Sequence, residues 1–323
     1  MSVQRTLASF ASVLAVIGGM GVANIASAAD AEHGAKAEHH DMSHVKRQAW
    51  SFGGLLGQYD KAQLRRGFTV YNEVCSACHS MTLLSYRNLT EVGGPEYSKD
   101  EVKAIIADKE VFAGPNSEGE THDDEGSPFM RKPILTDHFV SPYENDKKAM
   151  AANGGALPPD LSVMAKARGI PHAASHIAAS NVFVALYEGV KEYIGWIFGV
   201  VHDVITQYQE GGPDYIYALL TSFADEAPAG KDVGDKNFNY VFPGNAISMA
   251  APLGTLETGP DADKEANAEL LTKAKDVSAF LMWASERHLN ARKNLGLKVL
   301  IYLIILSGLM YAVKRSIWAG VKH

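Results

Sequence analysis

The pentapeptide Cys75-Ser76-Ala77-Cys78-His79 uses both cysteines of the 323-residue chain. Cys-x-x-Cys-His is the attachment sequence of a c-type haem. The two thiols add to the porphyrin vinyl groups, and the histidine that follows is set under the ring as an axial iron ligand. A redox disulfide has no need of the adjacent His79, and no second cysteine pair exists to complete a tetrahedral zinc site. The fold must therefore wrap around one covalently held haem c.

Residues 1–28 carry a short basic start at Arg5, an apolar stretch from Leu7 to Val22 and the small-residue close Ala26-Ser27-Ala28. That pattern predicts a cleaved export signal rather than a structural helix, and haem attachment of this kind occurs on the exported side. A second apolar stretch runs from Leu295 to Val313 with Lys298 as its one charge. It matches the length needed to cross a bilayer, with Lys298 near enough to its start to snorkel. Lys314 and Arg315 follow at once, and Trp318 is a candidate interfacial anchor. Basic residues flank both ends, so orientation is read from the export signal: body outside, tail inside. The expected domains are thus a signal at 1–28, an exported haem domain at 29–290 with an insert at 169–211, and an anchor with a short cytoplasmic tail at 291–323.

The formal charge is −7. Glu118, Glu120, Asp123, Asp124 and Glu125 form one acidic group, and Glu257, Asp261, Asp263 and Glu265 another. Such runs are either solvated loops or a negative surface that steers a basic partner. No basic stripe points to nucleic acid. His33, His39, His40 and His44 punctuate a polar leader and read as flexible chain or as a metal-binding tract.

Leu64, Phe68, Tyr71, Cys75 and Cys78 recur at helical intervals, predicting an amphipathic helix that leads into the haem motif. Gly67 in its middle is costly unless another helix approaches closely there. Val92 to Ala156 reads as mostly loop. Leu161 to Arg168 reads as a helix with Asp160 as N-cap. A helical pattern runs through Phe183, Tyr187, Val190, Ile194, Ile197, Val201 and Ile205, and a short helix covers Asp214 to Phe223. Ala224 to Pro260 shows little periodicity. Leu270, Ala274, Val277, Leu281 and Ala284 form a helical stripe, which, with no proline ahead, is expected to continue into the anchor. The exported domain is mainly α.

A six-coordinate electron-transfer haem needs a second axial ligand, and a methionine there raises its potential. Of ten methionines, Met1 and Met20 leave with the signal and Met310 lies in the anchor. Met81 is too close in sequence to His79, and Met282 reads as core filler. Met249 stands in a loop bounded by Pro243 and Pro252, which limits the freedom lost on binding; Met164 is the rival, with His138 and His202 as non-methionine alternatives.

Arg65 to Tyr71 with the haem motif and Ser80-Met81, Asn153 to Ser162, Gly212 to Thr221, Tyr240 to Pro252 and Phe280 to Glu286 together resemble the cytochrome c1 family, in the family's order from about Trp50 to Trp318. The resemblance implies an elaborated cytochrome c-type domain with long loops plus one C-terminal transmembrane helix. It implies thioethers at Cys75 and Cys78, and axial ligands His79 and Met249. Asn153, Ala156, Pro158 and Pro159 would line the haem, Arg168 would pair with a propionate, and Tyr215, Leu219, Leu220 and Phe242 would complete the wall. It further implies the electron-transfer subunit of a dimeric bacterial ubiquinol–cytochrome c oxidoreductase in the inner membrane, haem domain periplasmic. Its partners would be cytochrome b, a Rieske iron–sulfur protein and a c-type cytochrome, with no acid–base catalysis of its own.

Two rivals stand beside this reading. One is a free-standing membrane-anchored cytochrome c shuttle, and the other a thiol–disulfide oxidoreductase using Cys75 and Cys78. The long insert between Arg168 and Gly211 departs from some family members. Its most apolar part, Tyr193 to Val201, is too short to span a bilayer and is expected to pack on the domain or on a neighbouring subunit at the membrane surface.

Overall fold

The computed structural model describes residues 45–170, 211–258 and 262–320. The signal segment, the leader histidines, His202 and the helical pattern from Phe183 to Ile205 lie outside them. The described residues form seven α-helices: α1 (Lys61–Glu73), α2 (Lys99–Ile106), α3 (Asp146–Ala152), α4 (Met164–Ala167), α5 (Gly212–Thr221), α6 (Lys264–Ser285) and α7 (Leu289–Trp318). Among the described residues, strand is confined to two small antiparallel sheets. One pairs β1 (Val111–Phe112) with β2 (Met130–Arg131); the other runs β3 (Phe223–Ala224), β4 (Asn237–Asn239), β5 (Ala246–Ile247). The expected mainly-α architecture with long loops is what forms.

The core is the crossing of α1 and α6. Asp60 caps α1 by accepting from the backbone N–H of Ala62 at 2.8 Å, satisfying a donor the helix cannot. The apolar stripe then buries Leu64, Phe68, Val70 and Tyr71. Gly67 is where the two helices touch, because a Cβ there would overlap the Asp276 carbonyl oxygen of α6. The close approach expected at this glycine is present. Beside it the Arg66 guanidinium bonds both oxygens of the Asp276 carboxylate, at 2.6 and 3.1 Å. The Phe68 and Tyr71 rings meet Phe280 at 5.5 and 5.8 Å between centroids.

Two expectations are refined and two corrected. First, α1 leads into the haem motif as expected but stops at Glu73: Cys75 opens a 3₁₀ turn, Cys75–Ala77, and Cys78 closes it, so neither cysteine is on the helix. The turn lets both Cys78 N–H and His79 N–H donate to the Cys75 carbonyl, at 3.2 and 2.9 Å. Second, Val92 to Ala156 is mostly loop as expected, but it also holds α2, α3 and the β1–β2 pair. α2 is short, but Ser98 and Glu101 close a capping box and Val102 and Ile106 are buried. Third, Asp160 caps no helix: α4 begins later, behind Val163. Fourth, α6 and α7 are separate helices. The chain breaks at Glu286 (φ −146°, ψ 71°), where its carboxylate is drawn to Lys166 and Arg292, at 2.5 Å from each.

α5 starts at Gly212 with Pro213 in its first turn, where a missing N–H costs nothing. Gly212 lies against the Ala165 carbonyl of α4, where a Cβ would not fit. α7 is long and apolar enough to cross a membrane, and among its residues only Leu289 is buried. At about 1.5 Å per residue its 30 residues exceed the hydrocarbon thickness.

Candidate haem site

The 3₁₀ turn after α1 presents Cys75 and Cys78, which are not joined to each other. Cys75 packs against the core, and burial, with Cys78 adding to it, pushes its thiol up to about 11. A redox-active pair needs a thiolate, whereas a thioether carries no charge and suits this apolar setting.

His79 follows on the same turn. Its Nδ1 lies 2.8 Å from the Pro159 carbonyl oxygen. With the proton on Nδ1, Nε2 keeps the lone pair a metal needs, and the ring direction is set. Burial lowers the pKa of His79 against the opposing pull of that carbonyl, which favours the neutral, metal-binding form. Tyr71 also reaches this turn, its hydroxyl donating to the His79 carbonyl at 3.4 Å.

The Pro159 carbonyl is held in place by its neighbour. Asp160 Oδ2 accepts from Ser80 Oγ, Thr82 N and Thr82 Oγ1 at 2.8 to 2.9 Å, and Oδ1 accepts from Ser162 N at 2.8 Å. Burial raises the Asp160 pKa, but these bonds outweigh it and the carboxyl titrates below its usual range. Leu161 N–H donates to the Ser80 carbonyl at 2.9 Å, so the segment from Pro159 to Ser162 is stitched along the chain leaving the haem motif.

Of the other expected haem contacts, Ala156 and Pro158 are half-buried and Pro159 exposed on this stitched loop. Asn153 closes α3, its side-chain amide donating to the Ala149 carbonyl at 2.7 Å and to the Tyr143 hydroxyl at 3.0 Å. Arg168 is exposed just beyond α4. It lies near enough to Tyr215 to offset part of the rise that burial imposes on that phenol. Tyr215 and Leu220 are buried on α5 and Leu219 half-buried beside them.

Met249 is half-buried just after β5. Its loop is fastened to α5 by Asn239, which is fully buried. Asn239 Nδ2 donates to the Leu219 carbonyl at 2.8 Å, while Oδ1 accepts from Val241 N and Phe242 N at 2.9 Å each. Asn245 Nδ2 then donates to the Asn239 carbonyl at 3.0 Å. The Leu219 and Phe242 expected in one wall are thus joined through one amide. Of the other candidate ligands, Met164 is half-buried against the core, and His138 is exposed on a segment bridged to Ser85. Met81 and Met282 are core residues, as expected.

A donor set of two thiols on one turn, an imidazole oriented through Nδ1, and a methionine on a fastened loop fits a covalently attached haem. A family model, that of the Cytochrome C1 family, matches residues 50–321.

The chain belongs to the cytochrome c1 family.

It is 39% identical over 341 residues to cytochrome c1 of Rhodospirillum rubrum, covering 99% of this chain and 98% of that protein. It is 40% identical over 271 residues to cytochrome b/c1 of Bradyrhizobium diazoefficiens; that match covers 84% of this chain but only 35% of the longer relative. It is also 36% identical over 282 residues to the mitochondrial cytochrome b-c1 complex catalytic subunit of Candida albicans, covering 87% and 79% of the two. Proteins of this family carry a covalently bound c-type haem, and Cys75 and Cys78 occupy its attachment positions.

Two residues of the site have no signature in the sequence. Asn239, between Phe238 and Tyr240, looks like any loop asparagine; the only hint is a polar residue among aromatics. Asp160 follows two prolines, which suggests a helix start, but it binds the segment after the haem motif instead.

Proposed function

We propose that this chain relays single electrons from a Rieske iron–sulfur protein to a c-type cytochrome, with His79 and Met249 as the axial ligands of its haem. It is the haem-bearing electron-transfer subunit of a cytochrome b-c1 complex and part of a membrane-anchored assembly. Within the assembly we assign it cytochrome b as the quinol-handling neighbour and a dimeric state. The haem domain, residues 29–290, is assigned to the periplasmic face of a bacterial inner membrane. This rests on the export pattern of residues 1–28 and the anchor at 291–323.

The bound haem supplies a one-electron iron couple. The chain's own part is to hold and orient. Pro159 fixes the His79 ring through Nδ1, Asp160 keeps Pro159 there, and Asn239 holds the Met249 loop against the α5 wall. Tyr215, Leu219 and Leu220 keep water away, and Arg168 offers a cation to offset propionate charge. No side chain has to move a proton. The observation that carries the ligand assignment is the 2.8 Å contact from His79 Nδ1 to Pro159, which leaves Nε2 as the donor.

Purified protein should give the reduced-minus-oxidised spectrum of one covalent haem c. Met249→Leu should lower the reduction potential and open the sixth position to an added ligand such as carbon monoxide, since a thioether stabilises the reduced iron. An unchanged potential and spectrum in that variant would refute the assignment. Mild detergent extraction should recover the chain together with cytochrome b and a Rieske protein; recovery alone would favour the free-standing shuttle.

A further inference from the structure

The first turns of α7 are clasped by two loops. Lys293 Nζ donates to the carbonyls of Phe52 and Gly54, at 2.6 Å each. Gln58 Nε2 donates to Asn294 Oδ1 at 3.3 Å. Asn290 bridges both loops, accepting from Tyr59 N at 3.1 Å and donating to the Gly93 carbonyl at 3.2 Å. The Tyr59 hydroxyl sits 3.2 and 3.1 Å from the carbonyls of Met282 and Glu286. The anchor therefore leaves the haem domain at a fixed height relative to both loops.

That height can be read from the sequence of α7. The apolar run begins at Leu295, directly after Asn294. The 53–58 loop is tied to Lys293 and Asn294, so it lies level with the last polar turn before hydrocarbon. The loop around Gly93 is tied to Asn290, four residues and about 6 Å further out than Asn294 at the helical rise. The interfacial layer on one side of a bilayer is about 5–7 Å deep. Each loop carries an apolar side chain facing solvent: Leu56 is 57% exposed and Val92 93% exposed. Both stand on loops held to the first turns of α7, whose apolar stretch has no buried residue.

We propose that the 53–58 loop rests in the phospholipid interface as a foot beside the anchor, with Leu56 at the boundary of headgroups and acyl chains and Val92 a shallower second contact. A leucine held at this depth exchanges water for the lipid boundary, as apolar residues of interfacial segments do. With the clasp through Asn290 and Lys293, the foot would set the tilt of the haem domain over the membrane.

The inference rests on α7 spanning the bilayer, so the test measures both. Because Cys75 and Cys78 are taken up by haem, one added cysteine is the only reactive thiol. Leu56→Cys, Val92→Cys, Leu303→Cys and Asp124→Cys are made in the full haem-loaded chain, labelled with a nitroxide and reconstituted into phosphatidylcholine vesicles. Relaxation by dissolved oxygen, which favours lipid, is compared with relaxation by a water-soluble nickel chelate. The expected order of oxygen over nickel is Leu303, Leu56, Val92, then Asp124 in the acidic loop. A Leu56 label as open to nickel as that at Asp124 overturns the foot. So does a Leu56 label shielded from both agents, since protein would then be covering it. A Leu303 label open to nickel removes the spanning reading itself and the foot with it. A Leu303 label in lipid with Leu56 in water removes the foot alone.

Discussion

α6 and α7 follow one another with only Glu286 to His288 between them, yet they dispose of their apolar side chains in opposite ways. From Asp276 to Ala284 every residue of α6 is buried, surrounded by α1, α4 and α5. In α7 only Leu289 is buried, and Leu295 to Val313 shows its side chains on all sides. Both stretches are apolar around most of the helix, so amphipathicity does not separate them. Length does. The nine-residue buried run of α6 covers about 13 Å, less than half of a bilayer core, whereas α7 exceeds it. One helix is solvated by protein; the other is long and apolar enough to be solvated by lipid.

The contrast would break most visibly at Gly67. Gly67→Val puts a branched side chain into the Asp276 carbonyl, and a cost of at least about 4 kcal/mol is expected. Haem-stained protein recovered from membranes should fall to near nothing, while Gly308→Val in α7, where a Cβ meets nothing, should be recovered normally. Next comes Phe280→Ala, expected to cost about 3–5 kcal/mol as a large core truncation. Thermal unfolding followed by circular dichroism should show it. Leu303→Ala should leave the same transition in place, and an equal loss in both would mean that α7 is solvated by protein.

A charge sharpens the other side of the comparison. Leu303→Asp should cost about 2.5–3.5 kcal/mol of insertion, moving chain out of the membrane fraction with its haem domain still folded. Unchanged membrane partitioning would contradict the lipid environment of α7.

The smallest effect is expected at the break between the helices. Glu286 is pulled two ways: burial raises its pKa, and the bonds to Lys166 and Arg292 outweigh that and lower it. A carboxylate with a lowered folded pKa stabilises the fold above the ordinary glutamate range, and the contribution is lost as pH falls through the folded value. Glu286→Gln should therefore cost about 1–2 kcal/mol near neutral pH, since both cationic partners are substantially exposed. The melting-temperature gap to the parent chain should close as the pH falls through and below the ordinary glutamate range. A gap that stays constant over that range would show that the ion pairs contribute nothing there.

The same contrast marks how far the sequence could be read. The haem motif, the α1 stripe, the close approach at Gly67 and the anchor all rest on local chemistry or periodicity, which a linear string displays. α2 was hidden because two buried residues in eight make too short a pattern. The break at Glu286 was hidden because it carries neither proline nor glycine; what accompanies it is a pair of cations on its carboxylate, one from α4 and one from the next helix. In the site, His79 and the two cysteines were legible from spacing, while Met249 was favoured by its proline-bounded loop and singled out over Met164 with the help of the family resemblance.

By itself the sequence determined that a haem is held at Cys75 and Cys78, that the body is mainly helical and that one segment suits a bilayer, because covalent attachment, helical period and apolar length are properties of contiguous residues. Only the tertiary structure decided that Pro159 aims the His79 ring, that Asn239 fastens the Met249 loop to α5, and that Asn290 and Lys293 fix the height of the 53–58 loop. Each rests on hydrogen bonds between segments separated in the chain, by 20 residues for Asn239 and Leu219 and by 80 for His79 and Pro159, and such pairings form only when tertiary packing brings the segments together.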